Sequence, residues 1–215
     1  LGEEACAKNN LTVGGCENNK PHLNISWNDH WAGHFPSNPI NDDEIADNPQ
    51  HVYARSSRGP TMAGGAVNRL KPDVLAPATS ILAALSQLVA GSNSWYGPYT
   101  AGSSYVYKGG TSMAAPHVAG IAVLIREYLR TVRKYSDPLN PDIRRRRPSA
   151  ALMKALLVHG AQGVSGAYPG SAITNGPPHP SCHQGYGLVN LRSTLFSNPV
   201  ADRVTPVLQN WLPRR

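Results

Sequence analysis

The sequence predicts an α/β layered fold, on three observations. Short apolar runs bounded by Gly, Pro, Asn and Asp recur through the first half of the chain, the pattern of strands between turns. At Ser112 the period of the apolar residues changes from two to 3.6, the helical value, and it holds to about Tyr135. From Val118 to Ile125 no side chain is polar, so this helix is apolar on every face in its first half and belongs at the centre of a fold.

The elements follow in chain order. Leu11-Thr12-Val13 reads as a short buried strand that ends in a turn at Gly14-Gly15. Glu17 to Gln50 is rich in Asn, Asp, Pro and His without periodicity, which predicts a long surface excursion. His51-Val52-Tyr53-Ala54 restores strand character, and Ser56-Ser57-Arg58-Gly59-Pro60 is a turn. Lys71 to Pro77 gives a strand bracketed by prolines, Ile81 to Ala84 another, and Tyr105 to Lys108 a further one that leads into Gly109-Gly110. The long helix turns amphipathic in its second half, with Tyr128, Leu129, Val132 and Tyr135 on one side and Arg126, Arg130, Arg133 and Lys134 elsewhere. A second helix runs from Ser149, its N-cap, to Gly160, its C-terminal cap, and buries Leu152, Leu156 and Leu157. No internal repeat is visible.

Composition narrows the class. The 215 residues suffice for one domain with a sizeable core. Glycine (20) and proline (19) stay below the ~25–30% that marks low complexity. No window reaches the ~18 consecutive apolar residues of a membrane span. The formal charge of +7 owes six positive charges to Arg144–Arg147 and Arg214–Arg215. The run of four lies between Pro141 and Pro148, with no aromatic residue between Tyr135 and Tyr168, so it reads as a solvated basic loop, open to proteases, rather than a phosphate-binding patch. Nucleic acid is not an expected partner. Leu1 in place of Met, and no apolar leader after it, read as a piece of something longer. Cys6, Cys16 and Cys182 form no C-x-x-C pair; they fit one disulfide plus one free or externally paired thiol, or three buried thiols. Two glycosylation sequons, Asn10-Leu11-Thr12 and Asn24-Ile25-Ser26, are compatible with secretion.

The chemistry is concentrated between Gly110 and Gly120, Gly-Thr-Ser-Met-Ala-Ala-Pro-His-Val-Ala-Gly. Ser112 stands in the first turn of the helix, where unpaired N–H groups and the positive end of the dipole form a site for an oxyanion. Pro116 lacks the N–H that would bond the Ser112 carbonyl, and the double glycine lets backbone or substrate approach closely.

This stretch resembles the nucleophile motif of the subtilisin-like serine proteases, the subtilases (peptidase S8). The resemblance extends to Leu11-Thr12-Val13-Gly14, to the serine-rich turn at Ser56–Pro60, to the strand Lys71–Pro77, to Leu152-Met153-Lys154-Ala155-Leu156-Leu157, and to Gly185-Tyr186-Gly187-Leu188-Val189-Asn190. These motifs stand in family order and cover roughly residues 5 to 197. The tyrosine-containing stretch before Gly109 and the Gly-Ala-rich run from Gly160 to Gly170 look like the branch whose catalytic domain is followed by a small β-sandwich.

The resemblance implies a three-layer subtilisin-like fold with a mostly parallel sheet, only its C-terminal part being present. Residues 1–197 would belong to the catalytic domain and 198–215 to a tail or linker. It implies a serine endopeptidase acting on protein or peptide substrates through an acyl-enzyme, with Ser112 as nucleophile, its own N–H donating to the oxyanion and the Thr111 hydroxyl assisting. The family's Asp motif, His motif and oxyanion Asn are not found and would lie before Leu1. The expected partner is therefore the missing N-terminal part of the domain. Secretion is implied too, and calcium is common in the family. The alternative is a catalytically inactive subtilase-like binding or regulatory module.

Other residues are expected to be bystanders. His117 would serve packing or hydrogen bonding. His30 and His34, i and i+4 beside Asp29, lack the Glu of a His-Glu-x-x-His zinc site and make a poor triad. Asp73 follows Pro72 in a structural strand, and Asp42, Asp43 and Glu44 read as a solvated loop rather than calcium ligands.

Overall fold

Residues 1–63, 66–67, 69–86, 88, 95–100, 102–131, 148–166 and 179–195 are described by a computed structural model of the chain. The strands are β1 (Val13–Cys16), β2 (Met62–Ala63), β3 (Ala66–Val67), β4 (Val74–Pro77), β5 (Ile81–Ala84) and β6 (Tyr105–Lys108). The helices are α1 (Trp27–Trp31), α2 (Thr111–Thr131), α3 (Ala150–Gly160) and α4 (Leu191–Leu195), with short 3-10 turns at Glu4–Cys6 and Pro21–Leu23.

β1 and β4 pair in parallel, with Val13 opposite Val74 and Cys16 opposite Pro77. Both are buried along most of their length, as a parallel pair covered on its faces must be. The far edge of β4 is taken up by the last turn of the fold: the Leu75 N–H donates to the Gly187 carbonyl and the Val189 N–H to that of Leu75. Positive φ angles at Gly185 (+59°) and Gly187 (+98°) permit that turn. β5 and β6 form an antiparallel pair, as do β2 and β3.

Gly14 and Gly15, expected as a turn, lie inside β1 instead. They are small because the neighbours are close: a Cβ on Gly14 would fall 2.7 Å from Leu75 Cδ2, and one on Gly15 2.5 Å from the Ala78 methyl. His51–Ala54 is not a strand; it contributes single bridges, Val52 to Cys16 and His51 to Gly166. Ser56 in the following turn accepts the Gly15 N–H at 3.0 Å, which gives that serine its structural role.

Asp73 ties the start of β1 to β4. Its carboxylate accepts the Thr12 N–H at 2.7 Å, the Lys71 ammonium at 2.7 Å and the Lys154 ammonium at 2.8 Å. The structural role expected of Asp73 thus has a definite form.

α2 packs against β1 and β4 with Ala114, Val118, Ile125 and Leu129 buried. The expected burial on every face is met on one side only, since Val123 is 64% and Leu124 47% exposed. The continuation toward Tyr135, Arg144–Arg147 and the tail 198–215 lie outside the described residues. α3 begins as expected, with the Ser149 hydroxyl accepting the Leu152 N–H. Gly160 is not a left-handed cap; it is the last helical residue, buried against α4, where a Cβ would meet the Thr194 side chain.

The excursion from Glu17 to Gln50 holds the largest surprise. Rather than lying on the surface throughout, it buries Trp27, Trp31, Ile45 and Ala46 in the main core. α1 carries a capping box, in which the Asp29 carboxylate accepts the Ser26 N–H. A five-residue helix has too few turns to show a period, which is why its two buried tryptophans were illegible as a pattern. At the foot of the excursion the fully buried Glu17 carboxyl is pushed up to about 10, by burial first and then by Asp43 and Asp47.

Candidate active site

β6 delivers the chain to Gly109 and Gly110, and α2 starts at once. Gly110 has φ +137°, a conformation that side chains disfavour, and its N–H donates to the Ala78 carbonyl at 2.7 Å. That bond fixes the entry of α2 just beyond the end of β4. Gly109 is needed for a different reason, because a Cβ there would fall 2.2 Å from the ring of Tyr96. The close approach expected of the double glycine is thus made, at Gly109, by an aromatic ring of this chain.

Tyr96 is itself held from behind. Its hydroxyl shares a 2.7 Å hydrogen bond with that of Tyr53, and its ring lies 5.0 Å from that of Trp31. Trp31 packs in turn at a tilt against Trp27, whose ring also meets Phe35 and Tyr53. Burial, then the neighbouring Tyr96, push the Tyr53 hydroxyl well above its ordinary range, so it stays protonated. An aromatic cluster from the excursion therefore buttresses the loop ahead of Ser112, a role for residues 27–35 that carried no sequence signal.

Ser112 is the second residue of α2 and is exposed to solvent. At that position its N–H precedes any intrahelical acceptor. The Met113 N–H is already spent on the Gly110 carbonyl at 2.9 Å. A hydroxyl, a free N–H and the positive end of a 21-residue helix thus converge on one exposed point.

No side-chain hydrogen bond reaches the Ser112 hydroxyl among the described residues. The His117 ring nitrogen Nδ1 lies 2.8 Å from the Met113 carbonyl, to which it donates, so it serves its own helix. Asp29 is spent on the capping box, and His30 packs edge-on against Trp31. Asp73 is engaged by two lysines.

All three cysteines are free thiols. Cys16 is wholly buried, and its thiol is pushed up to about 12 by burial first and by Glu17 second. No helix among the described residues is long and apolar enough to cross a membrane.

Residues 1–187 match the Subtilase family, and the chain belongs to it. The family is one of serine proteases. Among individual relatives, the chain is 27% identical over 177 residues to the serine protease/ABC transporter B family protein tagD of Dictyostelium discoideum, 77% of this chain and 9% of that protein. It is 44% identical over 88 residues to the subtilisin-like protease SBT4.3 of Arabidopsis thaliana, 40% of this chain and 12% of that one. Pyrolysin of Pyrococcus furiosus is 29% identical over 158 residues, 73% of this chain and 9% of pyrolysin. The crystal structure of fervidolysin from Fervidobacterium pennivorans, a keratinolytic enzyme related to subtilisin, overlays with a TM-score of 0.50 at 20% identity. It covers 91% of this chain and 20% of fervidolysin, and supports the α/β subtilisin-like fold. The chain therefore spans about a tenth of the length of these curated relatives.

Proposed function

We propose that this chain is the nucleophile-bearing part of a subtilisin-like serine endopeptidase, with Ser112 as its nucleophile. The observation that carries the reading is the convergence at the start of α2 of an exposed hydroxyl, an unpaired N–H and a helix N-terminus, anchored by the Gly110–Ala78 bond.

In the reaction, the Ser112 oxygen attacks the carbonyl carbon of a peptide bond and its proton passes to a base. The carbonyl oxygen becomes an oxyanion, to which the Ser112 N–H donates. Collapse expels the amine, which takes up the proton, and leaves an acyl-enzyme on Ser112 that water hydrolyses. The base, its orienting carboxylate and a second oxyanion donor come from a companion segment, the N-terminal part of the catalytic domain. The exposed apolar side of α2, with Val123 and Leu124, offers that segment a surface to cover. Burying each such side chain is worth about 1.5–3 kcal/mol.

In this reading residues 1–197 belong to the catalytic domain, 198–215 lead away from it, and the protein works in an extracytoplasmic space. Both sequon asparagines, Asn10 and Asn24, are exposed, as glycosylation there requires. Calcium enters the reading as a structural ion and not as a reactant.

The second reading, an inactive binding or regulatory module, rests on the lack of any described base that reaches Ser112. A peptidase assay of the complete catalytic domain separates the two. Ser112→Ala is expected to lower kcat by a factor on the order of 10⁴ or more. A variant with full activity overturns the assignment of Ser112, and a wild-type domain without peptidase activity favours the module.

A further inference from the structure

Directly after β1 the chain buries a carboxylate that the proposed chemistry does not use. The Glu17 side chain is 0% exposed, and neither of its oxygens makes a well-aligned hydrogen bond, the Asp47 side chain and the Asn48 backbone being its near polar neighbours. Asp43, expected in a solvated loop, is instead only 11% exposed and faces Glu17 together with Asp47 and His51; one ligand atom from each of the four residues lies within 4.8 Å of all the others. Calcium holds oxygens at about 2.4 Å, so ligands on opposite sides of one ion stand about 4.8 Å apart. We infer that Glu17, Asp43 and Asp47 bind a single calcium ion, which closes the base of the excursion between residues 17 and 51.

The choice of calcium follows from the state of His51. The Asn48 side-chain oxygen accepts the Gln50 N–H at 3.0 Å, which turns the Asn48 NH₂ toward His51 Nε2, also at 3.0 Å. Nε2 is then an acceptor, and the ring proton sits on Nδ1. Nδ1 lies 3.7 Å from Glu17 Oε2 and 4.0 Å from Asp43 Oδ2. With its proton on Nδ1, His51 turns an N–H rather than a lone pair toward the cluster, and so is not counted among the metal ligands. The set left for the ion is all oxygen, which suits calcium and not zinc. A proton shared between Glu17 and Asp47 is the competing arrangement. It compensates one carboxylate, whereas a divalent ion compensates the three together.

The placement gives the ion a structural task. Glu17 stands at the exit of β1 and its N–H bonds the His51 carbonyl at 3.0 Å, while Asp43 and Asp47 lie on the returning limb. An ion there clamps both limbs of the segment that carries Trp27 and Trp31. This inference concerns binding alone and stands or falls independently of Ser112.

The test compares the full-length wild-type protein with Glu17→Gln and Asp47→Asn, each stripped with EDTA and dialysed. Bound calcium is counted by equilibrium dialysis, affinity is read by titration calorimetry with calcium chloride, and folding by circular dichroism. Glu17→Gln keeps the shape and, like the protonated carboxyl of the metal-free protein, is neutral, so the metal-free fold is expected to survive. Each variant should bind one calcium fewer than wild type, or bind that calcium at least about 10-fold more weakly, and its melting temperature should lose the corresponding calcium-dependent rise. Unchanged calcium stoichiometry and affinity in both variants overturns the inference. So does a stripped site that takes zinc and ignores calcium. Should Glu17→Gln fail to fold, Asp47→Asn decides by the same two readouts.

Discussion

Replacing Asp73 with Ala should cost the fold about 3–5 kcal/mol, the loss that follows when one partner of a buried ion pair is removed. Lys71 is only 1% exposed, and its ammonium has the Asp73 carboxylate at 2.7 Å and the Asn10 carbonyl at 3.0 Å. Without Asp73 that charge stays buried with one neutral acceptor, and the Thr12 N–H loses its acceptor as well, a further 1–3 kcal/mol on the usual scale. The two losses share one group and do not simply add, so ~3–5 kcal/mol is the working figure. Lys154 sets the contrast. Its ammonium is also close to Asp73, at 2.8 Å, but the side chain is 28% exposed and can turn to water. Lys154→Met should therefore cost under about 1 kcal/mol. Urea unfolding followed by tryptophan fluorescence measures both, read as a shift of midpoint at constant slope. A loss below about 1 kcal/mol for Asp73→Ala would refute the reasoning, because the β1–β4 platform under α2 would then be held by something else.

Three further outcomes follow from the same structure. Gly109→Ala drives a methyl into the Tyr96 ring and should destabilise the protein by about 1–3 kcal/mol while displacing Ser112, seen as lower peptidase activity of the complete domain; an unchanged melting curve and rate would contradict it. Trp27→Ala should cost about 3–5 kcal/mol in the same urea assay, since the ring is fully buried; a loss under about 1 kcal/mol would mean that the excursion is the surface loop its composition suggests. At pH 8 iodoacetamide should leave Cys16 unmodified in the native protein, its thiol being buried and pushed up to about 12, while the partly exposed Cys6 and Cys182 react; peptide mass spectrometry that finds Cys16 alkylated without unfolding would count against that burial.

What was legible in the sequence was the part governed by local chemistry. Gly-Thr-Ser-Met-Ala-Ala-Pro-His carries both a helix start and a nucleophile motif, and Ser149 reads as a cap because capping depends on adjacent residues alone. Val74–Pro77 and Ile81–Ala84 were visible as apolar runs. Features set by distant neighbours were not. Gly14 and Gly15 look like a turn until Leu75 and Ala78 are seen against them, and Gly160 looks like a cap until Thr194 is. Trp27, Trp31 and Ile45 sit in polar surroundings whose periodicity is nil, so their burial depends on Tyr53 and Tyr96, residues far along the chain. The Glu17 cluster escaped for the same reason, as its members are spread over 35 positions and only the fold gathers them.

The most direct test of the central claim is covalent. The complete catalytic domain, companion segment included, is treated with a fluorophosphonate, which reacts with serines activated for acyl transfer, and the adduct is located by peptide mass spectrometry. The account predicts a single adduct on Ser112, abolished in Ser112→Ala. Peptidase activity accompanied by an adduct on another serine, or activity that resists the probe while Ser112 stays unlabelled, would contradict it.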